Sequence, residues 1–91
     1  NNKNTPRFSV TLGVMPDYLF DGEGMRIDGI SPGRPAEEAK MKKGDIVIQL
    51  GKNRVTDMTT YMKALGAHSK GERVNVIAIR DGQELIFSVQ F

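Results

Sequence analysis

Apolar and polar residues alternate in four separate stretches of the chain, and each stretch predicts a strand with one buried face. The last two stretches are joined by Asp81-Gly82, a pair that favours a tight hairpin turn. A fifth stretch is an apolar, β-branched run between glycines, which predicts a buried strand. The Gly- and Asp-rich residues 15–24 and residues 51–54 are predicted to be a loop and a turn. The predicted strands cover residues 8–14, 25–30, 45–50, 74–79 and 85–91.

Two helices are predicted between these strands. The shorter covers residues 34–39, where Pro35 suits the first helical position and Glu37 and Glu38 suit the positive end of the helix dipole. The longer helix follows Asp57, a good N-cap, and its apolar residues recur at the spacing of one helix face. These residues are Met58, Tyr61, Met62 and Leu65. The element order predicts an α+β fold that is mostly β, a partly open five-stranded sandwich or barrel capped by two helices.

Size and composition limit the classes of protein that remain. The 91 residues are enough for one small domain with its own core. Residues 1–6 are polar and are predicted to be a linker or domain edge, so that the domain spans residues 7–91. No apolar run is long enough for a membrane helix, so we expect no membrane insertion. The net charge is only +2 and no basic stripe lies beside aromatic residues, which argues against a nucleic-acid partner.

Residues that could carry catalysis are scarce. The chain has no Cys and a single His, His68, which cannot build a zinc site of the usual kinds. We interpret His68 as an exposed residue at the end of the longer helix. The acidic residues between Asp17 and Asp28 lack the tight alternation of a calcium loop, and no nucleophile motif surrounds a Ser. The sequence therefore predicts a domain that is not an enzyme and has no cofactor or metal.

The run Leu12-Gly13-Val14 is the best candidate for a binding site. A Gly between two apolar residues lets the backbone turn tightly, so that several N–H groups converge on one point. Such a concave set of N–H groups binds a carboxylate, including the end of another protein chain. These residues predict a site made of backbone atoms that binds peptide.

The element order and three motifs resemble a PDZ domain of the bacterial, circularly permuted kind. Leu12-Gly13-Val14 resembles the carboxylate-binding loop of that family, residues 30–37 and 43–48 resemble its strand–helix–strand core, and residues 76–82 resemble its closing hairpin. The amino-acid sequence of these motifs is most similar to the C-terminal PDZ domain of bacterial zinc aminopeptidase-like proteins. The PDZ domains of HtrA-type serine proteases are the second most similar group. The resemblance implies a module appended to a larger peptidase chain, located in the bacterial periplasm or cell envelope.

The family resemblance also implies where a ligand would lie. A peptide C-terminus would add as a strand between the loop and the longer helix, with its carboxylate on the N–H groups of Leu12, Gly13 and Val14. Arg7 would assist as a nearby cation, and Arg34 is a second candidate. The peptide groove would be formed by Met15, Pro16, Met58, Met62 and Leu65. Even if the groove binds peptide, at least two of the four apolar residues of the longer helix are expected to belong to the core.

Two hypotheses about function remain open from the sequence. Met58 in the groove would favour an apolar residue two positions before the peptide end, and a Met-lined groove would tolerate varied side chains. The domain would then bind an extended apolar C-terminal or internal segment. Pro16, however, has no N–H, and the peptide would lose one hydrogen bond worth about 0.5–1.5 kcal/mol. A groove interrupted there would make this a structural or regulatory PDZ domain that binds no free peptide.

The expected partner is a peptide or protein C-terminus, or the catalytic domain of the parent chain itself. The isolated domain is expected to be monomeric. One further departure from the family is Lys40, which stands where the short helix usually ends with Gly. A positive φ at Lys40 would cost on the order of 1 kcal/mol of stability.

Overall fold

The computed structural model describes residues 10–91, which form six strands and two helices. The elements are β1 (Val14–Pro16), β2 (Met25–Ile30), α1 (Pro35–Glu38), β3 (Ile46–Leu50), β4 (Asn53–Arg54), α2 (Met58–Gly66), β5 (Arg73–Arg80) and β6 (Gln83–Gln90). The strands lie in the order β1-β2-β3-β5-β6, all neighbours are antiparallel, and β4 pairs with β3. The predicted class, α+β and mostly β, is confirmed, with β4 as one strand more than expected.

The hairpin of β5 and β6 is the most regular part of the sheet. Every residue of β5 pairs with a residue of β6 in one unbroken register. Asp81 and Gly82 connect them with φ of 53° and 80°, the left-handed conformation that a tight two-residue turn requires. The hairpin turn predicted from these two residues is therefore confirmed.

The core lies on one face of the sheet, where alternate strand residues pack together with α1 and α2. Val76, Ala78 and Val89 are fully buried, as the alternation in β5 and β6 predicts. Tyr61 and Leu65 of α2 are also buried, so that two of the four apolar residues of that helix face belong to the core. Other large, fully buried side chains are Leu12, Ile27, Val47, Leu50 and Val55.

An ion pair between the buried Asp45 and the partly exposed Arg80 ties β5 to the chain just before β3. Asp45 is 1% exposed and accepts hydrogen bonds from Nε and Nη2 of Arg80 at 2.8 and 2.9 Å. The Lys42 N–H donates to the same carboxylate at 2.9 Å. Hydrogen bonding to Asp45 raises the pKa of Arg80 above its ordinary value. Because a buried carboxylate is costly unless it is paired, this arrangement fixes the two segments to each other.

Residues 10–13, predicted to be strand, lie outside the β-structure. The Leu12 carbonyl accepts the Ala36 N–H at 2.8 Å, and the Gly13 carbonyl accepts the Ser31 N–H at 2.9 Å. The segment is thus held by α1 and by the end of β2, and its strand begins only after Gly13, whose φ is +79°. β1 consequently occupies the start of the predicted loop. Residues 8 and 9 of the predicted strand lie outside the described residues.

The short helix follows the sequence prediction more closely. Pro35 occupies its first position, and Lys40 beyond its end adopts a φ of 71°. The positive φ considered for Lys40 is therefore present. Its N–H donates to the Glu37 carbonyl at 2.9 Å, which closes the turn. Of the helices in the described part of the chain, neither has the length and apolar character needed to cross a membrane.

Candidate functional site

An open groove with a volume of about 320 Å³ lies between β1 and α2. One wall consists of alternate residues along β1 and beyond it, because alternate strand residues face the same side. The other wall is the apolar face of α2. The lining residues are Val10, Thr11, Val14, Pro16, Tyr18, Met58, Tyr61, Met62 and Leu65. The structure thus brings together four of the predicted groove residues, namely Pro16, Met58, Met62 and Leu65.

Met15 is the predicted groove residue that the structure places elsewhere. Its side chain is 58% exposed and lies over Gly29 of β2, where its Cε atom would be 2.5 Å from a Cβ atom built on that glycine. Met15 stands between Val14 and Pro16 in β1, so that its side chain points to the opposite face of the sheet. The groove on the α2 side is formed without it.

The α2 wall is fixed at its N-terminal end by a capping box. The Asp57 carboxylate accepts the Thr60 N–H at 2.9 Å, and the Thr60 hydroxyl accepts the Asp57 N–H at 3.0 Å. The Thr60 N–H lowers the pKa of Asp57 below its ordinary value. Burial raises the pKa of Tyr61 above its usual range. The helix therefore presents Met58 and Met62 at its surface while its buried side chains hold it against the sheet.

The outer edge of β1 is open within the described residues, because β1 is the first strand of the sheet and pairs only with β2. The Gly13 carbonyl and the Asp17 N–H both bond toward β2, each at 2.9 Å. Backbone groups alternate along a strand, so those of Val14 and Pro16 face the groove edge. Val14 offers both an N–H and a carbonyl there, whereas Pro16 offers a carbonyl alone. The register also shifts between Met15 and Pro16.

The glycine loop lies at one end of this edge. Gly13 has a φ of +79°, and a Cβ atom built on it would lie 2.0 Å from the Cβ atom of Arg34. Only glycine fits this position, both for its φ and for the close approach of Arg34. The Gly13 N–H already donates to Thr11 Oγ1 at 3.1 Å. No acceptor among residues 10–91 takes the Leu12 N–H.

Of the two cations predicted to assist the carboxylate, the structure describes only Arg34. Arg34 packs its side-chain stem on Gly13, beside the loop. Arg7 lies outside the described residues. Lys70, which the sequence did not single out, lies with Arg34 along a smaller pocket next to the groove. The structure thus places Arg34 and Lys70 beside the loop, and the role of Arg7 stays a prediction.

The segment after β1 is braced across β2 and positions Tyr18. The Asp17 carboxylate accepts the Leu19 N–H at 3.0 Å and the Arg26 Nε at 2.9 Å. The Arg26 side chain lowers the pKa of Asp17, and its guanidinium lies 5.0 Å from the centre of the Phe20 ring. Tyr18 is 75% exposed at the end of the groove. Sequence reasoning missed Tyr18, although its spacing of two from Pro16 was a signal.

His68 is not the exposed helix-end residue that the sequence indicated. Its side chain is only 13% exposed, and its ring stacks on Phe91 with 6.1 Å between centroids. Nδ1 lies 3.3 Å from Glu72 Oε2, while Nε2 is buried without a partner in the described part of the chain, close to Gly51. No group of His, Cys, Asp or Glu side chains in residues 10–91 is arranged to hold a metal ion.

An open edge strand, a glycine loop and a facing helix around one groove are the features that the sequence motifs indicated. The family model described as PDZ domain matches residues 4–91, and the chain belongs to the PDZ domain family. As a PDZ domain it is a non-catalytic binding module. The resemblance inferred from the sequence is thereby confirmed.

Known proteins similar to this chain include peptidases. The serine protease Do-like HtrA of Lactococcus lactis subsp. cremoris (strain MG1363) is 31% identical over 67 residues, which are 74% of this chain and 16% of that protein. The chain therefore spans about a sixth of this curated relative. An aminopeptidase N family protein from Idiomarina loihiensis matches with a TM-score of 0.79 and 17% identity over 90% of this chain and 14% of its own.

A second solved structure with the same fold is a PDZ domain on its own. The HtrA3 PDZ domain bound to a phage-derived ligand, FGRWV, matches with a TM-score of 0.73 and 15% identity. The match covers 88% of this chain and 82% of that chain. At these identities both solved structures establish the fold.

Proposed function

We propose that this domain binds the C-terminal end of an extended peptide or protein by strand addition along β1. The observation that carries the proposal is the open groove between the apolar face of α2 and the edge of β1, which no strand of residues 10–91 pairs with. At its loop end, the Leu12 N–H has no acceptor among the described residues, and the Val14 N–H faces the open edge. These donors suit a terminal carboxylate. The peptide held by the HtrA3 PDZ domain supports the proposal.

The groove walls define the side chains that the ligand would offer. Alternate residues of an added strand point toward α2, where Met58 and Met62 present flexible, polarizable side chains. We therefore expect an apolar residue two positions before the ligand end and tolerance of its shape. The Val14 N–H is offered to the ligand carboxylate, and the Val14 carbonyl accepts one N–H of the added strand. Pro16 supplies one further hydrogen bond through its carbonyl, so the ligand is held chiefly at its carboxylate end.

The same proposal extends to the parent protein. Both an HtrA-type serine protease and an aminopeptidase N family protein contain a similar domain within a much longer chain. This supports a role in presenting chain ends or internal segments to a peptidase domain of the same protein. A zinc aminopeptidase is the predicted parent, with an HtrA-type protease second and the bacterial periplasm or cell envelope as the predicted compartment. The isolated domain is predicted to be monomeric.

A structural or regulatory role without free peptide is the second candidate function. The observation that favours it is the outward-facing backbone of Pro16, together with the shift of register beside it. A strand laid along β1 loses a donor where an added strand normally needs one. The partner would then be the catalytic domain of the parent chain, packed over the groove through side chains.

A binding screen separates the two candidate functions. We would measure Kd for peptides with free C-termini and for the same peptides with amidated ends, using protein shown to be folded by its thermal transition. Binding that requires the free carboxylate is the expected result. Equal binding of amidated peptides would indicate that the ligand is an internal segment. If no peptide bound even at millimolar concentration, the structural role would be supported.

Two Met variants test whether the groove is the binding surface. Met62→Glu places a charge in the groove, where Met62 is 38% exposed, and is expected to weaken binding of apolar peptides at least about tenfold. Met15→Glu is the matched control, because Met15 is exposed on the opposite face of β1. Equal loss of affinity in both variants would contradict the assignment of the groove.

A further inference from the structure

The groove does not end at the glycine loop, because a second pocket of about 140 Å³ adjoins it. Val10 and Thr11 line both cavities. In the described part of the chain, the remaining lining residues of the second pocket are Arg34, Lys70 and Phe91. A ligand whose end lies on the loop would therefore have two cationic side chains directly beside that end.

Neither cation is neutralised within the described part of the chain. Of the ion pairs there, none includes Arg34 or Lys70. Two acids close to them in the sequence bond elsewhere, since Glu37 accepts the Gly33 N–H at 2.7 Å and Glu72 accepts the Ser69 N–H. Glu38, four residues after Arg34, forms no ion pair with it. The nine residues that precede Val10 contain no Asp or Glu. Within the described residues, Arg34 and Lys70 thus remain without an ion-pair partner and can bind an anionic ligand.

The positive charge at this end of the groove exceeds the single negative charge of a terminal carboxylate. The loop itself provides the N–H groups of Leu12 and Val14, which are sufficient to hold one carboxylate. Arg34 and Lys70 add two positive charges, whereas one terminal carboxylate carries a single negative charge. The Thr11 hydroxyl accepts the Gly13 N–H and retains its own proton to donate into the pocket. These groups together can accommodate a second anionic group.

We infer that the pocket lined by Arg34 and Lys70 is an anion subsite, and that the preferred ligand is a chain end with two carboxylates, namely a C-terminal Asp or Glu. One carboxylate binds the loop N–H groups and the other binds the two cations. The residue two positions earlier remains apolar against Met58. The inference rests on the proposed function and adds the chemical class of the last residue.

The test compares peptides that differ only at the last residue. Four peptides of one sequence would end in Asp, Asn or Val with a free carboxylate, or in Asp with an amidated end. Asn has the shape of Asp without its charge, so the ratio of their Kd values isolates the second carboxylate. We expect Asp to bind about three- to tenfold more tightly than Asn at low salt, a preference that decreases at high salt because exposed ion pairs are screened.

Variants assign the preference to the two cations. Arg34→Gln and Lys70→Gln are each expected to reduce the Asp-over-Asn ratio, and the double variant to bring it close to one. Both side chains are exposed, so the variants should keep the thermal transition of the wild type. Lys63→Gln is the control, because Lys63 is an exposed cation of α2 that lines neither cavity. Its ratio should equal that of the wild type.

The outcomes distinguish this inference from the proposed function. Equal binding of the Asp and Asn peptides with free ends would overturn the anion subsite and leave carboxylate-dependent peptide binding in place. A preference for Asp that survives in the double variant would also overturn the assignment to Arg34 and Lys70. Absence of binding by all four peptides would overturn the proposed function, and the subsite with it.

Discussion

The framework strands β3, β5 and β6 and the edge segment, residues 10–20, are built in contrasting ways. In the framework, eight consecutive residue pairs join β5 to β6, and Leu50, Val76 and Val89 are completely buried. In the edge segment the only strand is β1, three residues long. Its outer edge is unpaired within the described residues, and Tyr18 and Leu19 are 75% and 93% exposed.

This difference separates the residues that stabilise the fold from those available to a ligand. Buried side chains and complete pairing contribute to the free energy of unfolding. Unpaired backbone groups and exposed apolar side chains contribute little to that free energy, but they are what an added strand would contact. Substitutions in the framework should therefore change stability, while substitutions in the edge segment should change ligand binding.

A Leu→Ala substitution made once in the framework and once in the edge segment should give the largest difference in the free energy of unfolding. Leu50→Ala removes a fully buried side chain and should lower the free energy of unfolding by about 2–5 kcal/mol. Leu19→Ala removes a side chain that is 93% exposed and should change it by less than about 0.5 kcal/mol. Urea unfolding followed by circular dichroism measures both. Similar values for the two variants would show that the edge segment is part of the stabilising core.

Two glycines with nearly equal φ provide the next comparison. Gly13→Ala and Gly82→Ala both place a side chain at a φ near +80°, and this backbone strain alone should cost each variant on the order of 1 kcal/mol of stability. At Gly13 the added Cβ atom also collides with Arg34, whereas nothing lies within 4 Å of it at Gly82. We expect Gly13→Ala alone to raise the Kd for a free chain end, at least about tenfold. Calorimetric titration of both variants checks this.

If Gly82→Ala weakened peptide binding as much as Gly13→Ala, the loss would come from general strain and the loop would not be the site. The thermal transition of each variant is the companion measurement, since it reports strain independently of ligand.

Pro16→Ala should strengthen strand addition along β1. The substitution supplies an outward N–H to the added strand, worth about 0.5–1.5 kcal/mol, so that Kd should fall roughly two- to tenfold. Pro32→Ala is the control, because Pro32 is exposed and lines no part of the groove. Unchanged affinity in Pro16→Ala would mean that the ligand does not pair with the β1 backbone. Binding that appears only in Pro16→Ala would support the structural role of the natural domain.

The smallest expected effect is the pH dependence contributed by the α2 cap. The pKa of Asp57 is lowered in the folded state, so its contribution is present above the unfolded pKa of about 3.9 and is lost as pH falls through the folded value. Asp57→Asn keeps a cap that does not titrate. The wild type should therefore exceed Asp57→Asn in stability at pH 7 by more than at pH 2, as urea unfolding at both values would show. A difference independent of pH would contradict the role of this carboxylate.

Local patterns in the sequence were sufficient for the framework and for α2. Alternation gave β2, β5 and β6, and Asp57 with the apolar spacing after it gave the start of α2. The position of β1 was not predictable in this way, because the bonds of the Leu12 and Gly13 carbonyls to α1 and β2 decide where it begins. Those bonds join residues more than fifteen positions apart.

The error in β1 carried over to the candidate site. β1 begins at Val14, and its alternation continues through Pro16 to Tyr18, so Met15 faces away from α2 and Tyr18 faces the groove. The predicted strand ended at Val14, and the alternation was not extended into the predicted loop. Lys70 follows α2 in a polar segment and has no local pattern that marks it. It lies near Arg34 only because the fold brings the end of α2 to the loop. His68 was misjudged for the same reason, since Phe91 covers its ring.

The open edge of β1 also bears on self-association. Unpaired strand edges allow copies of a protein to join their sheets, which is a common route to aggregation. Here the edge is three residues long, irregular in register, and ends at a proline. A long strand from another copy would find the Val14 N–H as the single donor facing outward in β1, and an intermolecular sheet could not continue past Pro16. The proline that weakens ligand pairing therefore limits the growth of an intermolecular sheet at the β1 edge.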